Sequence, residues 1–260
     1  MQQMVDEAAL VLKSEQGAVV RLVINRPKAG NSLSVAMIAQ LRSTLAALEC
    51  RNDIKVIVLS GAGGRIFCAG HDLGEFAQEQ GVHDFSDLAA LMQHVMAQPQ
   101  IVIAKVEGVA TAAGCELVAA CDLALASSEA RFSVPGVNIG FWCHSPQVQL
   151  SRTVGRKAAM MMLATGKLFS AAHAVAIGLI NEVLEPDALD AAVDVLAAEI
   201  ASKSAAILAL GKRSFVDQAP LAFAEAYRFA GEAAKANLKH PDAKEGIAAF
   251  FEKRTPLWQS

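Results

Sequence analysis

Short runs of Val, Leu and Ile alternate with segments of helical period over the first two-thirds of the chain, and this alternation limits the fold more than any other feature. Two apolar runs, 8–13 and 18–25, flank the turn-forming residues 14–17 and predict a β-hairpin. Apolar residues then recur at helical spacing over 34–50, with Ser34 as the expected N-cap. The chain is therefore expected to begin with two strands and a helix.

The same order of elements restarts further along the chain. Predicted strands cover 55–59, 101–106, 122–126, 131–133 and 180–184, and predicted helices cover 87–97 and 113–120. Continuous apolar strands that alternate with helices are typical of α/β proteins whose largely parallel sheets are buried on both faces. The sequence therefore predicts the α/β class.

Residues after Ile200 carry helical signals only. Three helices are predicted over 205–216, 220–238 and 242–254. Large apolar residues in this tail, such as Phe215 and Phe223, have no sheet in their own segment to cover them. We therefore expect the tail to pack on the core or on another subunit.

Charge and composition exclude several classes of protein. The chain has 260 residues, of which 53% are hydrophobic, and this length favours one large domain or one domain with an appendage. Its net charge of −3 argues against nucleic acid or an anionic membrane as the main partner. Pro135 and His144 interrupt the longest uncharged stretch, so no membrane span is expected. Because the N-terminal ten residues are acidic rather than basic, we expect a cytoplasmic location.

Two segments of small residues are suited to close approach by a ligand. FCAGHDLG at 67–74 follows a predicted strand, and GVATAAGCEL at 108–117 leads into a predicted helix. Backbone N–H groups in such segments are accessible to negative charge, so the two loops can converge on one developing oxyanion. Tight backbone packing or an ordinary helix N-terminus is the alternative interpretation.

Glu116 is the most anomalous residue, because it interrupts an apolar stretch over 109–120. A buried carboxylate is costly unless it is paired or used in chemistry. Two interpretations are open at this stage. Glu116 is either a catalytic base or a structural acid, favoured by the helix dipole or paired with Lys105 or Arg131.

Metal and cofactor motifs are weak. The pair His71-Asp72 can ligate a metal, but the other histidines supply no ligand set at suitable spacing, so we expect no metal. The dinucleotide fingerprint, the P-loop and the G-x-S-x-G elbow are missing. The five cysteines form no C-x-x-C pair, which favours reduced thiols over disulfides.

Five segments, taken in this order and spacing, resemble the enoyl-CoA hydratase/isomerase family, also called the crotonase superfamily. They are INRPKA at 24–29, FCAGHDLGEF at 67–76, AAGCELVAACDLALAS at 112–127, ARFSVPGVNIG at 130–140 and EGIAAFFEKR at 245–254. The FCAGHDL and PGVNIG variants look most like the subgroup of enoyl-CoA hydratase domain-containing proteins. The resemblance implies an α/β fold in which a spiral of β-β-α units over 1–197 binds acyl-CoA. It implies a helical trimerisation region over 198–260, and self-association as a trimer or a dimer of trimers.

The resemblance also implies the site residues. The family holds the thioester carbonyl with two backbone N–H groups, which by motif match belong to His71 and Ala113, and Glu116 matches a catalytic glutamate. Coenzyme A enters as part of the acyl-CoA substrate, so no separate cofactor is implied. Residues matched to substrate binding are Lys28, Ala69, His71, Asp72, Leu73, Gly74, Ala113, Gly136 and Lys253, the last reaching a neighbouring subunit's coenzyme A.

The chain departs from the family at Gly136, where hydratases usually carry a second glutamate. Hydration needs a group that activates water and a proton source for the α-carbon. Glu116 can do both in turn, or His144 can substitute, and Gly136→Glu is expected to restore the second acid. The resemblance implies an enoyl-CoA hydratase, a lyase. The alternatives are an enoyl-CoA isomerase or other enolate-forming acyl-CoA enzyme, and a non-catalytic acyl-CoA-binding oligomer.

Overall fold

The N-terminal segment forms the predicted hairpin. The computed structural model describes residues 9–78 and 85–260. Strands β1 (Val11–Gln16) and β2 (Val19–Ile24) pair antiparallel around a turn at Gly17, whose φ is 57°. Strand β1 continues through residues predicted as turn, because a two-residue turn is enough to reverse the chain. Ala8, the predicted start of this strand, lies outside the described residues.

Helix α1 (Val35–Glu49) is confirmed with its cap. The Ser34 hydroxyl accepts a hydrogen bond from the backbone N–H of Met37 at 3.2 Å. The apolar face of the helix, which includes Met37, Leu41 and Leu48, is buried in the main apolar core, where α1 packs on α3. Cap and apolar spacing therefore act together, as the sequence pattern predicts.

The remaining elements are short and numerous. The strands are β3 (Val56–Gly61), β4 (Ile66–Cys68), β5 (Ile101–Val106), β6 (Val109–Thr111), β7 (Leu123–Ser127), β8 (Arg131–Ser133), β9 (Phe169–Ser170) and β10 (Glu182–Leu184). The helices are α2 (Leu73–Gln78), α3 (Ser86–Ala97), α4 (Ala113–Ala120), α5 (Pro146–Thr153), α6 (Arg156–Thr165), α7 (Ala171–Ala176), α8 (Leu189–Ala201), α9 (Ala205–Gln218), α10 (Phe223–Lys239) and α11 (Pro241–Glu252). Two 3-10 turns lie at Pro27–Ala29 and Pro135–Ile139.

Two sheets are built in alternation along the chain. The larger has the order β1-β2-β3-β5-β7-β10 and is parallel from β2 onward. The smaller has the order β4-β6-β8-β9, with only the last pair antiparallel. Each of β3, β5 and β7 in the large sheet is followed at once by a strand of the small sheet. The α/β class and the restarting order of elements are thus confirmed.

The large sheet is covered on one face by a helix that was not predicted from the sequence. Helix α8 buries Leu189, Val193 and Ala197 against a face that includes Val56 and Ile103. The three residues are spaced four apart, which places them on one side of the helix. The opposite face of the sheet packs into the main apolar core. Strands held on both faces make a rigid support for the loops at their ends.

The C-terminal tail is helical, as predicted. Lys212 on α9 fixes the tail to the core, since its Nζ donates to Asp122 Oδ2 at 2.6 Å and to the carbonyl of Gln100 at 3.0 Å. Phe223 and Phe250 in the tail are 81% and 77% exposed. The expected uncovered apolar face is therefore present, while the domain boundary at 197 stays a prediction. In the described ranges no helix is long and apolar enough to cross a membrane.

Candidate active site

The two small-residue segments lie side by side. Strands β4 and β6 are parallel neighbours, so the loops at their C-terminal ends emerge at the same edge of the small sheet. Gly70, with φ 96°, comes so close to the second loop that an added Cβ would lie 2.8 Å from Ala112 Cβ and 3.1 Å from the Ala113 nitrogen. Only glycine permits this approach. The backbone of His71, the next residue, is thereby brought beside that of Ala113.

Ala112 holds a conformation that residues with a side chain rarely adopt, with φ 50° and ψ −122°. Its N–H donates to the carbonyl of Ser133 at 2.9 Å, and its own carbonyl accepts from the N–H of Glu116 at 3.0 Å. Such strain is often concentrated at functional sites. Because Ala113 is the first residue of α4, its N–H has no partner within the helix and lies at the positive end of the dipole. The sequence carries no signal for this strained residue.

Glu116 lies inside the protein, with only 2% of its surface exposed. Its Oε1 accepts a hydrogen bond from the Ser145 hydroxyl at 2.7 Å, whereas its buried Oε2 accepts none from any described residue. Burial raises the pKa of Glu116 to about 7, although the Ser145 hydrogen bond acts in the opposite direction. A carboxyl group with this pKa exists in both protonation states near neutrality and is suited to proton transfer.

The ion-paired interpretation of Glu116 is wrong. Lys105 Nζ bonds Asp190 at 2.6 Å and Glu107 at 3.2 Å. Arg131 directs its guanidinium to the carbonyls of Ser128 and Ala130. Neither cation faces Glu116, so the carboxylate is not neutralised by the partners that the sequence offered.

Gly136 is closed to any side chain. It lies buried in the 3-10 turn Pro135–Ile139, and an added Cβ would lie 2.3 Å from the carbonyl oxygen of Phe141 and 2.8 Å from Cys143 Sγ. The obstacle is steric, since Gly136 is not among the residues with positive φ. The expectation that Gly136→Glu restores a second acid is therefore corrected: the returning chain already fills the space that a glutamate needs.

Ser145, which the sequence interpretation missed, is the residue whose hydroxyl donates a hydrogen bond to Glu116. His144 is exposed, and its ring meets the edge of Phe141 at 6.1 Å between centroids. The same aromatic row continues from Phe141 to Phe85 at 6.1 Å and from Phe85 to His71 at 5.5 Å. The one available signal for Ser145 is the Ser-Pro pair, which normally indicates only a helix N-terminus.

The segment around Lys28 is attached to the first loop. Lys28 is exposed in the 3-10 turn Pro27–Ala29. The N–H of Ala69 donates to the carbonyl of Gly30 at 2.9 Å, which joins the turn to the loop. Asn31, buried with φ 53°, donates from Nδ2 to the carbonyls of Ala62 and Ile66. The structure thus places the turn that carries Lys28 next to Ala69.

The other predicted binding residues differ in their surroundings. Asp72 has both carboxylate oxygens engaged, one with Arg26 Nη1 at 3.0 Å and one with the N–H of Gly74 at 3.0 Å. Leu73 is 56% exposed at the start of α2. Lys253 ends α11, which packs on α9 and α10, and so lies on the helical tail. Their roles in binding stay predictions.

The cysteines are all free thiols. Burial raises the pKa of Cys68 and of Cys115 to about 12. Within 9–78 and 85–260, no group of three or more His, Cys, Asp and Glu side chains is arranged to hold a metal ion. The chemistry that these residues offer is therefore proton transfer at Glu116 beside two backbone amides.

Comparison with known proteins assigns the family. The family model for enoyl-CoA hydratase/isomerase matches residues 14–260. The chain belongs to this family. It is similar to enoyl-CoA hydratase domain-containing protein 3, mitochondrial, from Danio rerio, with 40% identity over 98% of this chain and 89% of the relative.

Solved structures confirm the crotonase-like fold. An enoyl-CoA hydratase from Mycobacterium smegmatis superposes with a TM-score of 0.91 at 42% identity, covering 97% of this chain and 100% of the other. Human enoyl-CoA hydratase domain-containing protein 3 gives a TM-score of 0.92 at 39% identity, covering 96% of this chain and 100% of the other. The predicted family and its enoyl-CoA hydratase domain-containing subgroup are both confirmed.

Proposed function

We propose that this protein is an enoyl-CoA hydratase, a lyase that adds water to a 2-enoyl-CoA with Glu116 as its single catalytic carboxylate. The observation that carries the proposal is the position of Glu116. It is a buried acid with a pKa of about 7, one of whose oxygens has no hydrogen-bond partner among the described residues, and it lies in the helix that begins at the strained loop. The backbone N–H groups of His71 and Ala113 would bind the thioester oxygen.

A single carboxylate is sufficient for the proposed addition of water. Ionised Glu116 takes a proton from water, and the hydroxide forms a bond to the β-carbon of the enoyl group. The π electrons move onto the thioester oxygen, where the two N–H groups stabilise the enolate by roughly 3–4 kcal/mol each. Protonated Glu116 then returns its proton to the α-carbon, so that H and OH are added and the enzyme is regenerated.

A second reaction is favoured by the closed space at Gly136. With no second acid there, Glu116 can instead remove a proton from one carbon and return it to another through the same enolate, which makes the enzyme an isomerase. A non-catalytic acyl-CoA-binding oligomer is the third alternative. The burial of a carboxylate that has no cationic partner in 9–78 or 85–260 argues against it, since such a group is costly unless it is used.

Turnover of defined substrates tests these alternatives. Purified protein is assayed with crotonyl-CoA and with longer 2-enoyl- and 3-enoyl-CoA esters, with product identification by mass spectrometry. We expect a 3-hydroxyacyl-CoA from the 2-enoyl ester. Formation of only the shifted alkene supports the isomerase, and no turnover of any ester contradicts both enzymes.

Ligand binding tests the mode of recognition. Since the site is proposed to recognise the thioester and its nucleotide portion, acetyl-CoA should bind far more tightly than acetate in calorimetry. Equal binding of the two contradicts the assignment of Lys28, Ala69 and 71–74 to substrate binding. Coenzyme A enters with the substrate and no resident cofactor or metal is part of the proposed step, so we expect the same turnover with and without EDTA.

Self-association as a trimer or a dimer of trimers is also proposed. A cavity of about 760 Å³ lies among the tail helices, lined by apolar residues such as Ile207, Phe250 and Trp258. Light scattering should give three or six times the chain mass of 27.3 kDa, and a monomer contradicts this proposal. In such an assembly Lys253 would reach a neighbouring subunit's coenzyme A. A cytoplasmic location stays a prediction, to be tested by fractionation of the source cells.

A further inference from the structure

The hydroxyl of Ser145 is used in an unusual way. Ser145 immediately precedes α5 and is followed by Pro146 at the first helical position. Serine at this position normally caps its own helix by accepting from a backbone N–H of the first turn. Here the side chain makes no capping hydrogen bond, and its hydroxyl instead donates to Glu116 Oε1 at 2.7 Å, across 29 residues of chain. The N-terminus of α5 therefore has no side-chain cap from Ser145, and Glu116 has a hydrogen-bond donor instead.

The segment that carries Ser145 is held in place by Gly136. The N–H of Phe141 donates to the carbonyl of Gly136 at 3.0 Å, and Cys143 Sγ packs against Gly136, 2.8 Å from where an added Cβ would lie. The N–H of Gln147 then donates to the carbonyl of Cys143 at 3.2 Å. Segment 141–145, which fills the space that a glutamate at position 136 would need, is therefore also the segment that places Ser145 next to Glu116.

Charged neighbours of Glu116 are already engaged elsewhere. Helix α4 packs against α3, α5, β4 and β6. Three charged or titratable side chains on these elements have other partners: Asp87 pairs with Arg42, His94 pairs with Glu49, and Arg152 bonds the carbonyl of Val148. The other titratable groups, on these elements and at the mouth of the site, are the thiols of Cys68, Cys115 and Cys143 and the imidazoles of His71 and His144. In the described ranges, the hydrogen bond that lowers the pKa of Glu116 comes from Ser145.

We propose that Ser145 is a positioning residue, whose hydroxyl fixes Oε1 of Glu116 and leaves Oε2 as the oxygen that exchanges a proton with the substrate. This inference rests on the proposed function, because it assigns the two oxygens of the proposed catalytic carboxylate to different tasks. The geometry supports the division, since Oε1 is hydrogen-bonded and Oε2 is buried without a partner among the described residues.

Removal of the hydroxyl has two expected effects. In Ser145→Ala the ionised form of Glu116 loses its donor, so its pKa rises further and the acid limb of the kcat/KM profile moves to higher pH. The carboxylate is also free to rotate, so kcat should fall by about tenfold or more with little change in KM. Ser145→Thr keeps a hydroxyl and should restore both the pH profile and most of kcat.

The experiment compares Ser145→Ala and Ser145→Thr with Ser151→Ala as the matched control. Ser151 lies on the same helix, and its hydroxyl bonds the carbonyl of Val148 at 3.1 Å. We expect the control to have the wild-type pH profile. A merely structural role for Ser145 would lower activity at all pH values equally, without moving the acid limb.

A second readout does not depend on turnover. Infrared difference spectra of protein with isotopically labelled glutamate, assigned with Glu116→Gln, follow the ionisation of Glu116 directly. We expect its midpoint to rise in Ser145→Ala and to stay near the wild-type value in Ser145→Thr. If Ser145→Ala does not fold, Ser145→Cys, a weak donor of similar size, takes its place.

An unchanged Glu116 midpoint in Ser145→Ala overturns the inference, whatever the activity. If wild-type protein turns over no enoyl-CoA ester, the proposed function fails, and the titration still decides whether Ser145 controls the carboxylate. The two failures are thus separable.

Discussion

A side chain at Gly136 should destabilise the protein rather than restore a second catalytic acid. Ordinary Cβ contacts begin near 3.4 Å, whereas the Cβ of Gly136→Ala would lie 2.3 Å from the Phe141 carbonyl oxygen, so one of the two backbones has to move by about 1 Å. Forced overpacking of this kind costs about 1–3 kcal/mol, and a chain of this size loses roughly 2–4 °C of Tm for each kcal/mol. We expect Gly136→Ala to lower Tm by roughly 2–12 °C.

Gly136→Glu should lower Tm by more than Gly136→Ala does. In addition to the methylene contact, it places a carboxylate beside Cys143 Sγ in a buried turn, where an unpaired charge is costly. Thermal unfolding by circular dichroism at one protein concentration measures both variants. Gly155→Ala is the control, because an added Cβ there meets no atom within 4 Å. The free energy of unfolding of Gly155→Ala is expected to differ from wild type by less than about 1 kcal/mol.

A Gly136→Glu protein with the wild-type Tm would refute the steric argument. Faster hydration of a 2-enoyl-CoA by that protein would show that the position accepts a second acid after all. The segment 141–145 would then have to move aside, and Ser145 would lose the support on which its contact with Glu116 depends.

Two further predictions concern groups outside the proposed reaction. The exposed Cys50 should react with a thiol reagent at pH 8, while Cys68 and Cys115 stay unmodified in native protein because burial raises the pKa of each to about 12. Peptide mass spectrometry measures the labelling of each cysteine, and equal labelling of all three would contradict this prediction. Lys212→Met should lower the free energy of unfolding, measured by denaturant titration, by about 3–5 kcal/mol, since it leaves Asp122 without its 2.6 Å partner. The double variant Lys212→Met/Asp122→Asn should recover part of this loss. An unchanged midpoint for Lys212→Met would mean that the tail is held by other contacts.

Elements with a strong local signal could be predicted from the sequence. Strand β5 and helix α4 begin and end where the apolar pattern predicts, and α1 begins at the predicted Ser34 cap. The three-residue strands β4 and β6 were missed because they overlap the small-residue segments 67–74 and 108–117, which were interpreted as loops. Helix α8 was missed although Leu189, Val193 and Ala197 carry a helical spacing.

The candidate site was predictable only in part. Glu116 stands out in the sequence because it is an acid in an apolar stretch, and the small residues around Gly70 indicate close backbone approach. The Ser145 contact and the closed space at Gly136 depend on how segment 141–145 folds back, which no local pattern encodes. The role of His144 as a substitute for the second acid stays a prediction. Only the fold decides that Ser145, the next residue, is the one whose hydroxyl bonds Glu116.

The role of Glu116 is tested most directly by the pH dependence of kcat/KM for a 2-enoyl-CoA, measured for wild type and for Glu116→Gln. The free enzyme should lose activity as the pH falls through about 7, where burial places the pKa of Glu116 and protonation removes the base. Glu116→Gln keeps the size of the side chain but cannot take a proton, so turnover should fall by roughly 10²–10⁴-fold with little change in acyl-CoA affinity. A Glu116→Gln enzyme with wild-type turnover and an unchanged acid limb would contradict the assignment of Glu116 as the proton-transferring group.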